Sequence, residues 1–390
     1  MLKERYLTKY ILEDLKDKMV FVGGPRQVGK TTLCRNLVGA SFKKSAYYNW
    51  DNRADRKAIM AATWPGDAKL LIFDELHKFR QWKGLIKGEY DKHKDSIKFI
   101  VTGSARLDLY RRGGDSLQGR YHYYRLHPFT LAEADGIYNK VSVFSELALE
   151  RNLHMDLLNT LDTFGGFAEP FIKQSPKQLR RWHNEKIERM FREDIQDIEA
   201  IRDIGKMKLL SDILSDKVGS NLSLNSLRED LEVSHRSVTS WMDILEAFYY
   251  HFRIYPYSSK KIRALKKEPK LYLWDWSEVE NEASRFENLI ASHLLKFTHF
   301  ITDQEGYRAE LSCLRDVDKR EVDFLVTIDG KPWFAVEVKL NDTVLSPNLL
   351  YFRDRLSIPF IYQVLKKDKV DLLQKGGRIV SAGKFLAALI

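Results

Sequence analysis

Cysteine is nearly missing from this chain: only Cys34 and Cys313 occur, which excludes a disulfide scaffold and a Cys-rich zinc site. No run approaches about 18 consecutive apolar residues, so neither a membrane-spanning helix nor a membrane partner is expected. The opening stretch MLKERYLTKYILEDLKDKMV carries too many charges for the apolar region of a signal peptide, and the expected location is cytoplasmic. Neither an internal repeat nor a low-complexity tract occurs, and the composition does not indicate disorder.

What is present is a chain of 390 residues, enough for two or three domains, with 44% hydrophobic and 12% aromatic residues to build their cores. Charged residues make up 30%, as in soluble globular proteins. Lysine and arginine (64) outnumber aspartate and glutamate (54), giving a net charge of +10. The pI near 9.2 favours a polyanionic partner, because clustered cations release counterions from phosphates.

The text changes character along the chain, and the expected fold class is α/β and multidomain. Residues 1–135 alternate helical patterns with the apolar runs KMVFVGG, KLLIFDE and IKFIVTGS, which read as buried parallel strands. Residues 136–205 read as a helical connector interrupted by GGFAEPF. Residues 206–279 give helix, turn, helix and strand, the order of a winged helix, with the basic arm SSKKIRALKKEPK before the strand LYLWDW. Residues 280–390 restart with a helix, then EVDFLVTI and PWFAVEVKL across the tight turn DGK, then FIYQVL: an independent α/β domain.

Two motifs in the first domain carry phosphate chemistry. The segment Gly24, Pro25, Arg26, Gln27, Val28, Gly29, Lys30, Thr31, Thr32 meets G-x-x-x-x-G-K-[ST] between a predicted strand and a predicted helix. Its glycines let backbone N–H groups face the phosphates of ATP, Lys30 reaches the β and γ oxygens, and Thr31 ligates Mg²⁺. LLIFDE ends a strand with Asp74, placed to hold Mg²⁺, and Glu75, placed to polarise the attacking water. A solvated acidic pair is the blander alternative. Thr102 or Ser104, at the end of the next strand, is a candidate sensor of the γ-phosphate or simply a helix cap. Arg120 is a candidate for stabilising transition-state charge in its own or a neighbouring subunit, in competition with Arg106, Arg111 and Arg112.

The succession GPRQVGKTT, LLIFDELHK, VTGSAR, SLQGRYHYYRLHPFTLAE, GGFAEP, FREDI and EVDFL with AVEVKL resembles a large prokaryotic family. Its members are AAA-type P-loop ATPases with a C-terminal domain of restriction-endonuclease-like fold. The resemblance implies ATP use and a functional role for Arg120 in its G-R context. It does not imply a substrate.

A second constellation lies in the last domain. Asp323, Glu337 and Lys339 read as D-(x13)-E-x-K, and strand alternation puts Glu337 and Lys339 on one face with Asp323 beside them across the hairpin. Two carboxylates can hold Mg²⁺, Lys339 can position the water, Glu287 can complete the metal site and Gln363 can assist. The arrangement resembles the PD-(D/E)xK nuclease core. A half-exposed strand with a cross-strand ion pair is the alternative. His235, Arg236, Ser237 and Ser240 lie on the second winged-helix helix, which either touches DNA or serves as a packing lid. Together these features predict an ATP-hydrolysing, DNA-associated enzyme, with a homo-oligomer or protein partner as a further possibility. The rival is a nucleotide-dependent scaffold whose nuclease-like fold is inactive. Convergence of Glu287, Asp323, Glu337 and Lys339 in a polar, basic-rimmed cleft favours the first; a dispersed or plugged set favours the second.

Overall fold

In a computed structural model, the described residues are 4–103, 117–149, 155–195, 203–258 and 268–390. They form two compact units, Met1–His127 and Pro128–Ile390.

The first unit is built on five parallel strands: β1 Met19–Gly23, β2 Ser45–Asn49, β3 Leu70–Asp74, β4 Lys98–Thr102 and β5 Tyr121–Arg125. They lie in the order β2-β3-β4-β1-β5. Every residue of β1 and β3 is buried, which is why both read as unbroken apolar runs. One face packs Phe21, Phe73, Phe99, Trp82 and Ile86 into a shared core, with the rings of Phe21 and Tyr121 stacked at 4.3 Å. Parallel register fixes the functional edge: Val22 lies opposite Thr102 and Asp74 opposite Thr102, so the C-terminal ends of β1, β3 and β4 open side by side.

The second unit begins with the short helix Leu131–Ala134. The helices Met155–Phe164, Ala168–Lys173 and Pro176–Arg189 follow. Three more helices, Ile204–Asp216, Leu224–Asp230 and His235–Ala247, precede an antiparallel pair, β6 His251–Ile254 and β7 Lys270–Leu273. The helix His235–Ala247 is capped by Ser234, buries Val238, Trp241, Met242 and Leu245, and leaves His235, Arg236 and Ser240 exposed.

The 19-residue helix Glu282–Phe300 leads into a six-stranded sheet. Its strands are β8 Ala309–Arg315, β9 Glu321–Ile328, β10 Lys331–Lys339, β11 Phe360–Leu365, β12 Asp371–Gln374 and β13 Gly377–Ser381, in the order β12-β13-β11-β10-β9-β8. β8, β9 and β10 form an antiparallel meander, and the helix Pro347–Leu356 crosses from β10 to β11, which runs parallel to it. The β9–β10 turn has Asp329 at φ 50° and Gly330 at φ 79°, the two left-handed positions that an Asp-Gly hairpin supplies.

Two sequence segments that stand out in the family resemblance serve interior joinery here. Phe129 N donates to Gly166 O at 2.7 Å, and a Cβ on Gly166 would lie 2.5 Å from Phe129 O, so only glycine admits the approach. Thr130 Oγ1 donates to Ile390 O at 2.7 Å. Glu133 pairs with Lys296 at 2.5 Å, both side chains wholly buried. Among the described residues no helix is long and apolar enough to cross a membrane.

Candidate functional site

The loop after β1 turns on backbone that most side chains resist. Gly24 has φ 140°, Gln27 φ 59° and Gly29 φ 101°, and a Cβ on Gly24 would stand 2.4 Å from Leu126 O. Gly29 O accepts from Leu33 N at 2.9 Å, which starts the π-wound helix Thr32–Val38 beneath the loop. Arg5, which the motifs do not flag, braces this loop by donating to Val28 O at 2.8 Å and His127 O at 2.6 Å. Pro25 has no N–H and contributes shape rather than a donor.

Lys30 is buried and donates to Gly24 O at 2.9 Å and Pro25 O at 2.6 Å. Burial pulls its pKa down, while Glu75 and Asp74 oppose that shift. Asp74 gathers three hydroxyls. Thr31 and Tyr47 each donate to Oδ2 at 2.7 Å, and Thr102 donates to Oδ1. Burial and the bond to Asp74 raise the Tyr47 pKa. Glu75 follows at φ 55°, a left-handed conformation unusual for a glutamate and a store of local strain. Its Oε2 is buried, lies 3.5 Å from His77 Nε2 and takes no hydrogen bond among the described residues. Burial pushes the Glu75 carboxyl above the ordinary range, with Lys30 pulling part of the way back.

The structure therefore brings together Lys30, Thr31, Asp74, Glu75 and Thr102. The donor set fits an Mg²⁺-nucleotide, with a hydroxyl and a carboxylate in contact, a buried ammonium beside them and a loop whose glycines leave the backbone bare. Ser104, Arg106, Arg111 and Arg112 lie outside the described residues. Arg120 stands elsewhere. β5 runs parallel to β1 with Met19 opposite Tyr121 and Gly23 opposite Arg125, so Arg120 sits at the end of the sheet remote from the loop. There it bonds Asp91 at 2.8 Å. A role on ATP in its own subunit is corrected by this register; a role toward a neighbouring subunit is left as the expectation.

In the second unit, the hairpin register that pairs Val336 with Phe324 sets Glu337 opposite Asp323, and Lys339 Nζ lies 2.8 Å from Glu337 Oε1. Asp323 Oδ2 accepts from Val338 N at 2.9 Å. The sequence does not disclose what lies at their centre. Lys270, the first residue of β7 and 3% exposed, places Nζ 2.7 Å from Glu321, 2.9 Å from Asp323 and 3.2 Å from Glu287. Tyr272 donates to the same Glu287 oxygen at 2.7 Å. Burial alone would discharge Lys270, but Asp323, Glu287 and Glu321 outweigh it and hold the ammonium charged. Burial, and then Asp323, push both Glu287 and Glu337 above the ordinary glutamate range. Glu337 Oε2 is buried with no hydrogen-bond partner among the described residues.

Asp323 and Glu337 thus come together as the strand pattern requires and Glu287 joins them from the preceding helix, yet as folded the three do not fit a divalent ion, because an ammonium already contacts two of them. Gln363 is fully buried and engages Ser346 N, Asp342 O and Val344 O, so it secures the loop after β10 instead of assisting a reaction. His183, Asp275 and Glu278 also offer atoms within 4.8 Å of one another. There too a lysine supplies the cation: Lys186 bonds Asp275 at 3.0 Å and pairs with Glu278.

Comparison with known proteins divides along the same lines. Residues 16–134 match the family model of an AAA domain. Residues 155–279 match a domain of unknown function (DUF8612), and residues 284–383 another (DUF4143). An uncharacterized protein of Methanocaldococcus jannaschii is 22% identical over 84% of this chain and 76% of its own length. An uncharacterized protein of Haemophilus influenzae is 21% identical over 90% of both chains. The RuvB Holliday junction branch migration motor of Thermotoga maritima aligns at 19% identity over 67% of this chain and 93% of its own, with a TM-score of 0.31, too low to carry an argument. The residues of the phosphate loop and of the β3 and β4 strand ends, set in a parallel sheet matched by an AAA domain, make the first unit an AAA-type P-loop ATPase domain.

Proposed function

We propose that this protein binds and hydrolyses ATP with Mg²⁺ at the β1 loop, and that its second unit is a nuclease-like fold that engages DNA without cutting it as folded. The observation that carries the first part is the meeting of Thr31, Thr102 and Asp74 beside buried Lys30. Mg²⁺, held through Thr31 and Asp74, would supply charge neutralisation on the phosphates. Lys30 trades its loop carbonyls for phosphate oxygens. Glu75, whose raised affinity for a proton suits a base, orients and deprotonates the attacking water.

The second part rests on element order. A helix, three antiparallel strands of which the second and third carry Asp323 and Glu337-x-Lys339, a crossover helix and a parallel strand follow the succession of the PD-(D/E)xK core. Lys270 within the carboxylates is a plugged arrangement, which speaks against cleavage and favours an inactive nuclease-like fold. The exposed face of the helix His235–Ala247, in a winged-helix-like arrangement, and the net charge of +10 support DNA as the partner. Lys260, Lys261, Lys266 and Lys267 of the basic arm lie outside the described residues.

ATP turnover and DNA binding are measured side by side on the full chain and on Lys30→Ala. Turnover should fall by at least about a hundredfold in the variant, the scale of losing one transition-state charge partner. DNA binding should weaken steeply with added salt, without strand cleavage in Mg²⁺. Unchanged turnover in Lys30→Ala refutes the ATP site, and salt-insensitive or absent DNA binding moves the function to a protein scaffold.

A further inference from the structure

We infer that Lys270 is the resident cation of the Glu287, Asp323 and Glu321 cluster, and that the cluster admits a divalent cation only when Lys270 leaves it. The inference rests on the nuclease-like reading of the second unit and adds what controls its metal site.

Three observations converge on Lys270. Its Nζ contacts one oxygen from each of three carboxylates at 2.7 to 3.2 Å, so a second cation at the same oxygens would meet direct ammonium repulsion. The lysine is 3% exposed, so the contact is part of the interior and not a surface pairing that solvent dissolves. Glu337, 5% exposed, sits opposite Asp323 with Oε2 unpartnered among the described residues, an acceptor that the single charge of Lys270 leaves unsatisfied.

Lys270 is held at the cluster by the backbone around it. It ends the β6–β7 ladder, paired with Ile254, and the chain beside it is tied down by Leu222 N donating to Pro269 O at 2.8 Å and by the bridge between Asn221 and Lys270. Arg315 holds Glu321 at 2.9 Å and bonds Asn221, so the cluster and the end of the hairpin share one network. Removing the ammonium leaves Glu287 and Asp323 without the cation they share, beside Glu337 whose one counter-charge is Lys339, a set of carboxylate oxygens that suits a hard divalent ion.

The test is Mn²⁺ binding to nucleotide-free full-length protein, read by electron paramagnetic resonance and by thermal melting, for wild type, Asp323→Asn, Lys270→Met and Lys270→Met/Asp323→Asn. The expected result is that Asp323→Asn leaves Mn²⁺ binding of the wild type unchanged. Lys270→Met should gain one bound Mn²⁺ per chain and a melting temperature that rises with Mn²⁺, and Asp323→Asn should abolish that gain. Should Lys270→Met fail to fold, Lys270→Met/Glu321→Gln removes one charge of each sign and is read the same way. A wild-type Mn²⁺ site lost in Asp323→Asn, or no gain in either lysine variant, overturns the inference. DNA cleavage assayed in parallel separates the two readings: Mn²⁺ gained without cleavage defeats the nuclease-like activity and leaves the Lys270 assignment standing, whereas cleavage by wild type with Lys270 in place overturns it.

Discussion

Replacing Glu133 by glutamine takes away the carboxylate that faces the buried Lys296 ammonium in the second unit. Lys296 is 0% exposed and its Nζ lies 2.5 Å from Glu133 Oε2 and 2.9 Å from Thr130 Oγ1. Removing one member of a buried ion pair destabilises by about 3–5 kcal/mol, because the remaining charge keeps its desolvation penalty without its Coulombic partner. Glutamine retains an oxygen that can accept from Lys296, and Thr130 Oγ1 remains, so the lower end, about 3 kcal/mol, is expected. The paired change Glu133→Leu with Lys296→Met removes both charges and should fall within about 1–2 kcal/mol of the wild type, since well-packed apolar replacements of buried pairs are often neutral. Backbone amide exchange of the helix Glu282–Phe300, followed by mass spectrometry at increasing urea, reads this local stability without assuming that the two units unfold together. A loss under about 1 kcal/mol for Glu133→Gln, or a double variant as unstable as the sum of its single changes, would show that the pair does not hold the helix.

Glu75→Gln should retain nucleotide binding while hydrolysis slows by about a hundredfold or more, because Thr31, Asp74 and Lys30 are untouched and only the proton acceptor is lost. Fluorescent-nucleotide binding beside phosphate release checks it, and equal loss of both would make Glu75 structural. His293 gives a pH test. Its Nε2 accepts from Leu131 N at 3.0 Å and Nδ1 donates to Leu289 O at 2.7 Å, a pattern only the neutral ring satisfies. Burial lowers its pKa from 6.5 to about 3, so the unfolded chain binds the extra proton and stability is lost as pH falls below about 6.5. Between pH 7.5 and 5.5 the wild type should lose about 1.4 kcal/mol more than His293→Asn, a difference in which the oppositely shifted Glu287 and Glu337 cancel. Parallel urea titrations that show no such difference refute the neutral assignment.

How much was legible follows from how far apart the cooperating residues lie. The phosphate loop is contiguous, Gly24 to Thr31, and its geometry depends on glycine torsions and on the strand before it, all local. Asp74 and Glu75 end an apolar run that reads as a buried strand. Glu337 and Lys339 share a face because strand side chains alternate, and the Asp-Gly turn brings Asp323 alongside. The motif around Arg120 has no direction: only parallel pairing of β5 with β1 shows which end of the sheet it occupies, and so that its own subunit's loop is out of its reach.

Other relations required long-range packing. Tyr47 and Thr102 come from separate strands to meet on Asp74. Arg5 reaches the phosphate loop from the N-terminal segment. Phe129 and Gly166 join two segments that lie apart in the sequence. Lys270 is the clearest case. In sequence it closes a basic arm, while in the fold its ammonium is among carboxylates 17 and 53 residues later. A sequence states the sign of each charge, but the fold decides which charges share a low-dielectric interior, where a few ångströms outweigh the net charge of the whole chain.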